Sequence, residues 1–280
     1  MEPILFEKEG AIGWLTLNNP EHLNALTDEM GRAIERLIPK INKDKSIRVV
    51  IVTGSGRAFS AGGNLDIIRA RSKKKPAVNQ KEMIAFYRRF LSISKIEAPV
   101  IAMINGHAIG AAFCMTLACD IRIASTEAKM GVNFVKIGLS PGMGGTFLLP
   151  QILGIPQASE LLLTGKTLSA DEARARGIIH HLYTPDTLRE GTLHLAHEIA
   201  ANAPIAVRTA KKGIQSYLKG LDRALHFESR GQAVCFQTGD ILEGIEAIRA
   251  KRAAHFTGQM SKAKQIMQED QQVLRDLSKK

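Results

Sequence analysis

Two stretches of this chain run the same course, and together they narrow its architecture more than any other feature. Arg48–Thr53 (RVVIVT) and Pro99–Ile104 (PVIAMI) are unbroken apolar runs rich in β-branched residues. They do not alternate polar with apolar, so both faces must be covered, as in a parallel strand buried between layers. Each run ends in a glycine-rich turn. The first is Gly54-Ser55-Gly56-Arg57-Ala58-Phe59-Ser60-Ala61-Gly62-Gly63-Asn64-Leu65, and the second is Asn105-Gly106-His107-Ala108-Ile109-Gly110-Ala111-Ala112. A helical pattern follows each turn. Strand, glycine turn and helix in that order give an α/β fold. Such folds bind ligands at the carboxyl ends of their strands. Glycine there lets a backbone N–H approach a ligand with no Cβ in the way. Neither turn reads GxxxxGK[ST], and neither reads GxGxxG with an acidic residue about 20 positions on, so the patterns of a P-loop or a dinucleotide site are not present.

The rest of the chain extends this pattern. Strands are expected at Ile4–Glu7 and Ile12–Leu17. Thr27 is placed to cap a helix whose apolar face includes Met30, Ile34, Ile38 and Ile41, with a kink expected at Pro39. A helix is expected over about 80–96, another over 110–119, and a strand over 120–123. From about Pro156 the pattern is helical, with segments near 156–163, 169–176, 186–202, 204–218, 221–236 and 240–254. This divides the 280 residues into an α/β core over 1–200, a helical module over 201–257 and a helical or frayed tail over 258–280. No apolar run is long enough to span a membrane, and the first residues lack a signal-peptide pattern. Three cysteines with no CxxC spacing fit a reducing, cytoplasmic setting and argue against disulfides or a structural metal.

The net charge of +11 is concentrated. Residues 69–95 carry nine basic side chains against Glu82 alone, and residues 245–280 carry eight against four. Such clustering suits a phosphate-rich ligand, a nucleic acid or a solvated helix face. Phe86, Tyr87 and Phe90 are the stacking candidates within the basic run, and they also have the spacing of core residues.

The turns belong to a longer series of motifs: Leu17-Asn18-x-Pro20-Glu21-x-Leu23-Asn24-Ala25-Leu26, Val50-Ile51-Val52-Thr53-Gly54, Ala58-Phe59-Ser60-Ala61-Gly62-Gly63-Asn64-Leu65, Pro99-Val100-Ile101-Ala102, Asn105-Gly106-x-Ala108-x-Gly110, Ala118-Cys119-Asp120-Ile121-Arg122-Ile123-Ala124, Gly138-Leu139-x-Pro141-Gly142-x-Gly144-Gly145-Thr146 and Leu163-Thr164-Gly165. Over about residues 1–257 the chain resembles the crotonase superfamily of enoyl-CoA hydratases and isomerases. The resemblance implies a spiral of ββα units with a helical C-terminal trimerisation module, acting as a homotrimer or a hexamer built of two trimers. It implies an acyl-CoA thioester as substrate, with coenzyme A entering as part of it. No tightly bound cofactor, metal, membrane or nucleic-acid partner is expected.

The resemblance also assigns residues. The backbone N–H groups of Gly63 and Ala111 would form an oxyanion hole for the thioester oxygen. His22, Ala25, Leu26, Ser60, Ala61, Asn64, Leu65 and Phe256 would contact the CoA moiety, Phe256 often from a neighbouring subunit. The family commonly has lysine where His22 stands and aspartate where Asn64 stands.

Two departures bear on the chemistry. Hydratases of this family carry one glutamate at the position of Cys114 and another at that of Phe134. A missing acid/base group costs roughly 10²–10⁴ in rate, so efficient hydration is not expected. Cys114, Asp66, Tyr87, Asn133 and Lys136 are the nearby groups that could act instead, Lys136 by anchoring a carboxylate. Decarboxylation or thioester hydrolysis dispenses with the glutamate pair. The competing readings are a non-catalytic acyl-CoA-binding protein and an RNA-binding protein using the basic stretches.

Overall fold

The computed structural model describes residues 2–215 and 220–256. Its elements, in chain order, are β1 (Ile4–Glu9), β2 (Ile12–Leu17), α1 (Asp28–Lys43), β3 (Val49–Gly54), β4 (Ala58–Ser60), α2 (Leu65–Arg71), α3 (Pro76–Leu91), β5 (Val100–Ile104), β6 (His107–Ile109), α4 (Ala111–Leu117), β7 (Ile121–Ser125), β8 (Lys129–Gly131), α5 (Gly145–Thr164), β9 (Leu168–Ser169), α6 (Ala170–Ala175), β10 (His181–Tyr183), α7 (Leu188–Ala201), α8 (Pro204–Gln215), α9 (Leu221–Cys235) and α10 (Gly239–Arg249).

Among the described residues the strands form two sheets. One runs β1-β2-β3-β5-β7-β10 and the other β4-β6-β8-β9. In the larger sheet only the β1–β2 hairpin is antiparallel. Its two faces explain the unbroken apolar runs. Val50, Val52, Val100, Ala102 and Ile104 face a core shared with α1, α3 and α4. Val49, Ile51, Ile101 and Met103 face a second cluster closed by Leu188 and Ala196 of α7. Successive residues of a strand point to opposite faces, so two covered faces leave no polar positions between them.

Local signals fix several boundaries. The Thr27 hydroxyl accepts from Met30 N at 3.3 Å and starts α1, which continues through Pro39 to Lys43. Ser169 and Glu172 form a reciprocal capping box at the start of α6. The helix expected over 80–96 begins instead at Pro76, a favoured first helical residue, and gives way to a 3-10 turn over Ser92–Lys95. The helix expected near 156–163 forms the second half of α5, after a break at Gly154 where φ is +71°, and a first half from Gly145 precedes it. Strands β9 and β10 fall where only helices are expected. They are two and three residues long, too short to carry alternation, and backbone pairing to β8 and β7 creates them. The end of the expected 204–218 helix and the 258–280 tail lie outside the described residues.

The C-terminal helices are anchored to the core. Lys211 of α8 reaches the start of β5. Its Nζ lies 2.7 Å from Asp120 Oδ2 and donates to Ala98 O at 2.9 Å, and the same Asp120 oxygen accepts from Val100 N at 2.7 Å. Arg122, buried at the start of β7, donates to Ile178 O at 2.8 Å, to Cys119 O at 2.9 Å and to Thr116 O at 3.4 Å. It thereby closes the carbonyl end of α4.

Candidate functional site

Strands β4 and β6 run parallel, with Ala58 opposite His107 and Ser60 opposite Ala108. Three residues past that last pair come Gly63 on one chain segment and Ala111 on the other. The register of a small sheet therefore delivers both glycine turns to one place. Gly62 (φ +89°) and Gly110 (φ +57°) turn the backbone there in conformations that L side chains rarely adopt. A Cβ on Gly62 would meet Ile109 O at 2.4 Å, so the two turns touch backbone to backbone. Ala111 is the first residue of α4, where an N–H has no acceptor within its own helix. Among the described residues no acceptor bonds to the N–H of Gly63 or of Ala111.

Both residues line one cavity of about 490 Å³. Its loop side is formed by His22, Ala25, Leu26, Ala61, Asn64 and Leu65, six of the eight residues that the resemblance assigns to CoA. His22 Nδ1 sits 3.0 Å from Asn19 Oδ1. The Asn64 carboxamide oxygen accepts from Asp66 N and Ile67 N, so Asn64 caps α2 as well as lining the wall.

Ser60 and Phe256 are placed elsewhere. Ser60 is fully buried outside the wall. Its hydroxyl donates to Asn24 O at 2.7 Å and accepts from Gly62 N at 3.1 Å, which ties the first turn to the loop after β2. Asn24 completes that tie by donating to Ser55 O and Ala58 O. Phe256 is 41% exposed and is not part of the wall.

The deeper wall is apolar, with Met83, Phe86, Phe134, Ile137, Leu139 and Met143. Phe134 stands beside the second turn. A Cβ on Gly110 would lie 4.0 Å from its ring and 3.2 Å from Asn133 Oδ1. Tyr87 supplies a polar point, donating to Gln232 Oε1 at 2.5 Å, while Gln232 Nε2 donates to Ser140 O. Burial, and then the nearby Glu228 carboxylate, push the Tyr87 phenol well above its ordinary range. It stays protonated and acts as a neutral hydrogen-bonding group rather than a base.

The other candidate groups do not reach the cavity. Cys114 is fully buried behind Ala111 and outside the wall, its Sγ 3.2 Å from where a Gly145 Cβ would sit. Burial drives its thiol well above the usual range, with the Glu228 charge adding to the effect. A raised thiol holds little thiolate, the nucleophilic form, and its burial off the wall gives no support to Cys114 as nucleophile or acid. Asp66 points outward and pairs with Arg249. Lys136 is exposed and off the wall. Among the described residues lining the cavity, Glu21 is the single carboxylate, and it sits exposed on the loop after β2.

The basic run is less naked than its sequence implies. Arg69 pairs with Glu246, Arg71 and Lys74 with Glu82, Arg88 with Asp222, and Arg89 with Asp28. Tyr87 and Phe90 are buried and Phe86 is half-buried, so the aromatics offer no stacking platform for bases. Among the described residues no cluster of His, Cys, Asp and Glu is arranged to hold a metal, and no helix is long and apolar enough to cross a membrane.

Residues 7–259 match the family model described as enoyl-CoA hydratase/isomerase. The chain is 34% identical over 251 residues to a short-chain-enoyl-CoA hydratase of Clostridium acetobutylicum, covering 89% of this chain and 95% of that protein. It is 36% identical over 261 residues to a 1,2-epoxyphenylacetyl-CoA isomerase of Escherichia coli, covering 92% and 99%. Its fold is similar to the crystal structure of an enoyl-CoA hydratase from Mycobacterium avium subsp. paratuberculosis, with a TM-score of 0.81 at 28% identity over 91% of this chain and 98% of that one.

Proposed function

The chain belongs to the enoyl-CoA hydratase/isomerase family, with a crotonase fold and acyl-CoA-processing activity, and from that premise we propose that Gly63 and Ala111 hold the thioester oxygen of its substrate between two backbone N–H groups. The observation that carries this is the β4–β6 register, which brings both residues to one cavity with neither N–H bonded elsewhere among the described residues. An enolate or tetrahedral oxyanion puts its charge on that oxygen. Preorganised donors then stabilise the transition state more than the ground-state carbonyl, by about 3–4 kcal/mol for each donor.

The wall favours some reactions over others. The Clostridium relative is named a hydratase, and hydration needs a group to activate water and another to protonate carbon. Here Phe134 and buried Cys114 flank the second turn, and the single wall carboxylate is out on the Glu21 loop. The reaction that asks least of such a wall is decarboxylation of a malonyl-type thioester. The bond from Cα to the carboxylate breaks, CO₂ leaves, and the electron pair stays as the enolate held by Gly63 and Ala111. Solvent then protonates Cα. Phe256, exposed on this chain, reaches the adenine of a neighbouring subunit's CoA in a trimer or hexamer working in the cytoplasm.

A turnover screen with crotonyl-, 3-hydroxybutyryl-, butyryl-, malonyl- and methylmalonyl-CoA tests the reading. CO₂ release from the malonyl pair with little crotonyl-CoA hydration is the expected result. Fast hydration would reverse the choice of reaction. Binding of thioesters without turnover of any would leave a non-catalytic acyl-CoA-binding protein.

A further inference from the structure

One charged side chain in the cavity wall is buried. Arg71 is 6% exposed, whereas the other formal charge on the wall, Glu21, is exposed. A guanidinium keeps its charge at every working pH, and a charge taken out of water needs a partner. Arg71 Nη1 donates to Glu82 Oε2 at 2.8 Å. That carboxylate is shared, because Lys74 Nζ lies 2.9 Å and 2.7 Å from its two oxygens. Two cations on one anion leave a net charge of +1, and its inner member lies in a largely apolar cavity wall.

The position of Arg71 is fixed from behind as well. Asn79, itself fully buried, donates from Nδ2 to Arg71 O at 2.8 Å. This holds the last turn of α2 against α3. Helix α2 begins beside Gly63 and ends at Arg71, so the Arg71 backbone lies about 9 Å along its axis from Leu65. The last turn of α2 thus places Arg71 in the same cavity wall as Gly63 and Ala111.

We propose that Arg71 selects acyl-CoA thioesters whose acyl chain carries a carboxylate remote from the thioester, and binds that carboxylate through the N–H groups not given to Glu82. The proposal rests on the reading of this cavity as the acyl-CoA site, not on the choice of decarboxylation, and adds a preference for acyl groups that end in a carboxylate. Guanidinium and carboxylate match as paired donors and acceptors. Beside Met83, Phe86, Ile137 and Leu139 the low-polarity surroundings strengthen such a pair. An apolar acyl chain of the same length would leave the cation facing hydrocarbon.

Calorimetric titration of the intact protein decides the matter. The probes are glutaryl-CoA against pentanoyl-CoA and adipoyl-CoA against hexanoyl-CoA, matched in length so that the CoA contribution cancels. At least one dicarboxylic member should bind tenfold or more tightly than its apolar partner, and Arg71→Met should bring that ratio close to one. Arg71→Lys should keep part of the preference and shows that loss in Arg71→Met is not misfolding. Equal affinities within both pairs for the unaltered protein would overturn the proposal while leaving the acyl-CoA reading intact. So would a ratio unchanged in Arg71→Met, which would make Arg71 a contact for CoA or a structural ion pair. Failure of all four thioesters to bind would overturn the acyl-CoA reading and this proposal with it.

Discussion

Gly62 and the carbonyl oxygen of Ile109 are packed so closely that the missing side chain is the reason they can meet: a Cβ on Gly62 would lie 2.4 Å from that oxygen. Gly62→Ala therefore forces the two turns apart and adds a left-handed backbone at a residue that resists it. The expected cost is about 3 kcal/mol or more in stability, with acyl-CoA affinity falling at least tenfold. Gly177→Ala is the control. Its φ of +77° is similarly left-handed, but nothing lies within 4 Å of the new methyl, so it should cost only about 1–2 kcal/mol and leave affinity unchanged. Melting curves and thioester titrations on both variants separate contact from strain.

Ala111→Pro removes one proposed donor with little penalty to the helix. Proline is favoured at the first helical position, where Ala111 stands. Turnover should fall about 10²–10³-fold while the protein stays folded by circular dichroism. Turnover within threefold of the unaltered protein would remove Ala111 from the oxyanion hole.

The thiols should prove inert. Burial raises Cys114 well above its ordinary range, lifts Cys119 to about 12, and raises the half-buried Cys235 as well. Iodoacetamide at pH 8 should leave activity intact in the native protein and label all three cysteines once urea unfolds it. Cys114→Ala should keep turnover within threefold, since the group lies behind the wall and not on it.

Glu228 gives a pH signature. It lies under the turn that leads into α5 and accepts from Gly144 N at 2.6 Å, Thr146 N at 2.7 Å and Thr146 Oγ1 at 2.6 Å. Burial nonetheless outweighs those donors and raises its carboxyl above the usual range. A carboxyl raised on folding binds more protons in the native state than in the unfolded one. Its stabilising contribution is then complete below the unfolded value and is lost as pH rises to the native one. The melting temperature should carry a downward component over that window, and Glu228→Gln should remove it while lowering stability overall, because an amide supplies one acceptor where three donors converge.

Lys211→Met should destabilise by about 3–5 kcal/mol. It leaves Asp120 without its cation and Ala98 O without its donor where β5 and β7 enter the main sheet. Urea unfolding of Lys211→Met and of the double variant with Asp120→Asn would show the second change recovering part of the loss.

Much of this site was legible in the chain because it is made of backbone. Glycine at Gly62, Gly63 and Gly110 announces close approach, and buried strands before each turn announce where they end. What sequence could not supply was the partner from far away. Arg71 reads as one more cation in a basic run until α2 and α3 fold it inward beside Glu82. Gln232 reads as an ordinary helix residue until α9 lies along α3 and meets Tyr87. Ser60 reads as a ligand contact because it sits within the motif, but its hydroxyl is spent on Asn24. The short strands β9 and β10 have no pattern of their own and exist only by pairing.

Arg122 has a reach beyond its own strand. By filling the carbonyl end of α4 with positive charge it cancels the pole that would otherwise pull cations there, and leaves the opposite pole, at Ala111, without a counterweight inside the same short helix. A neutral residue at position 122 would thus be felt at the far tip of α4 as a weaker pull on any anion forming there, by a change that touches no ligand.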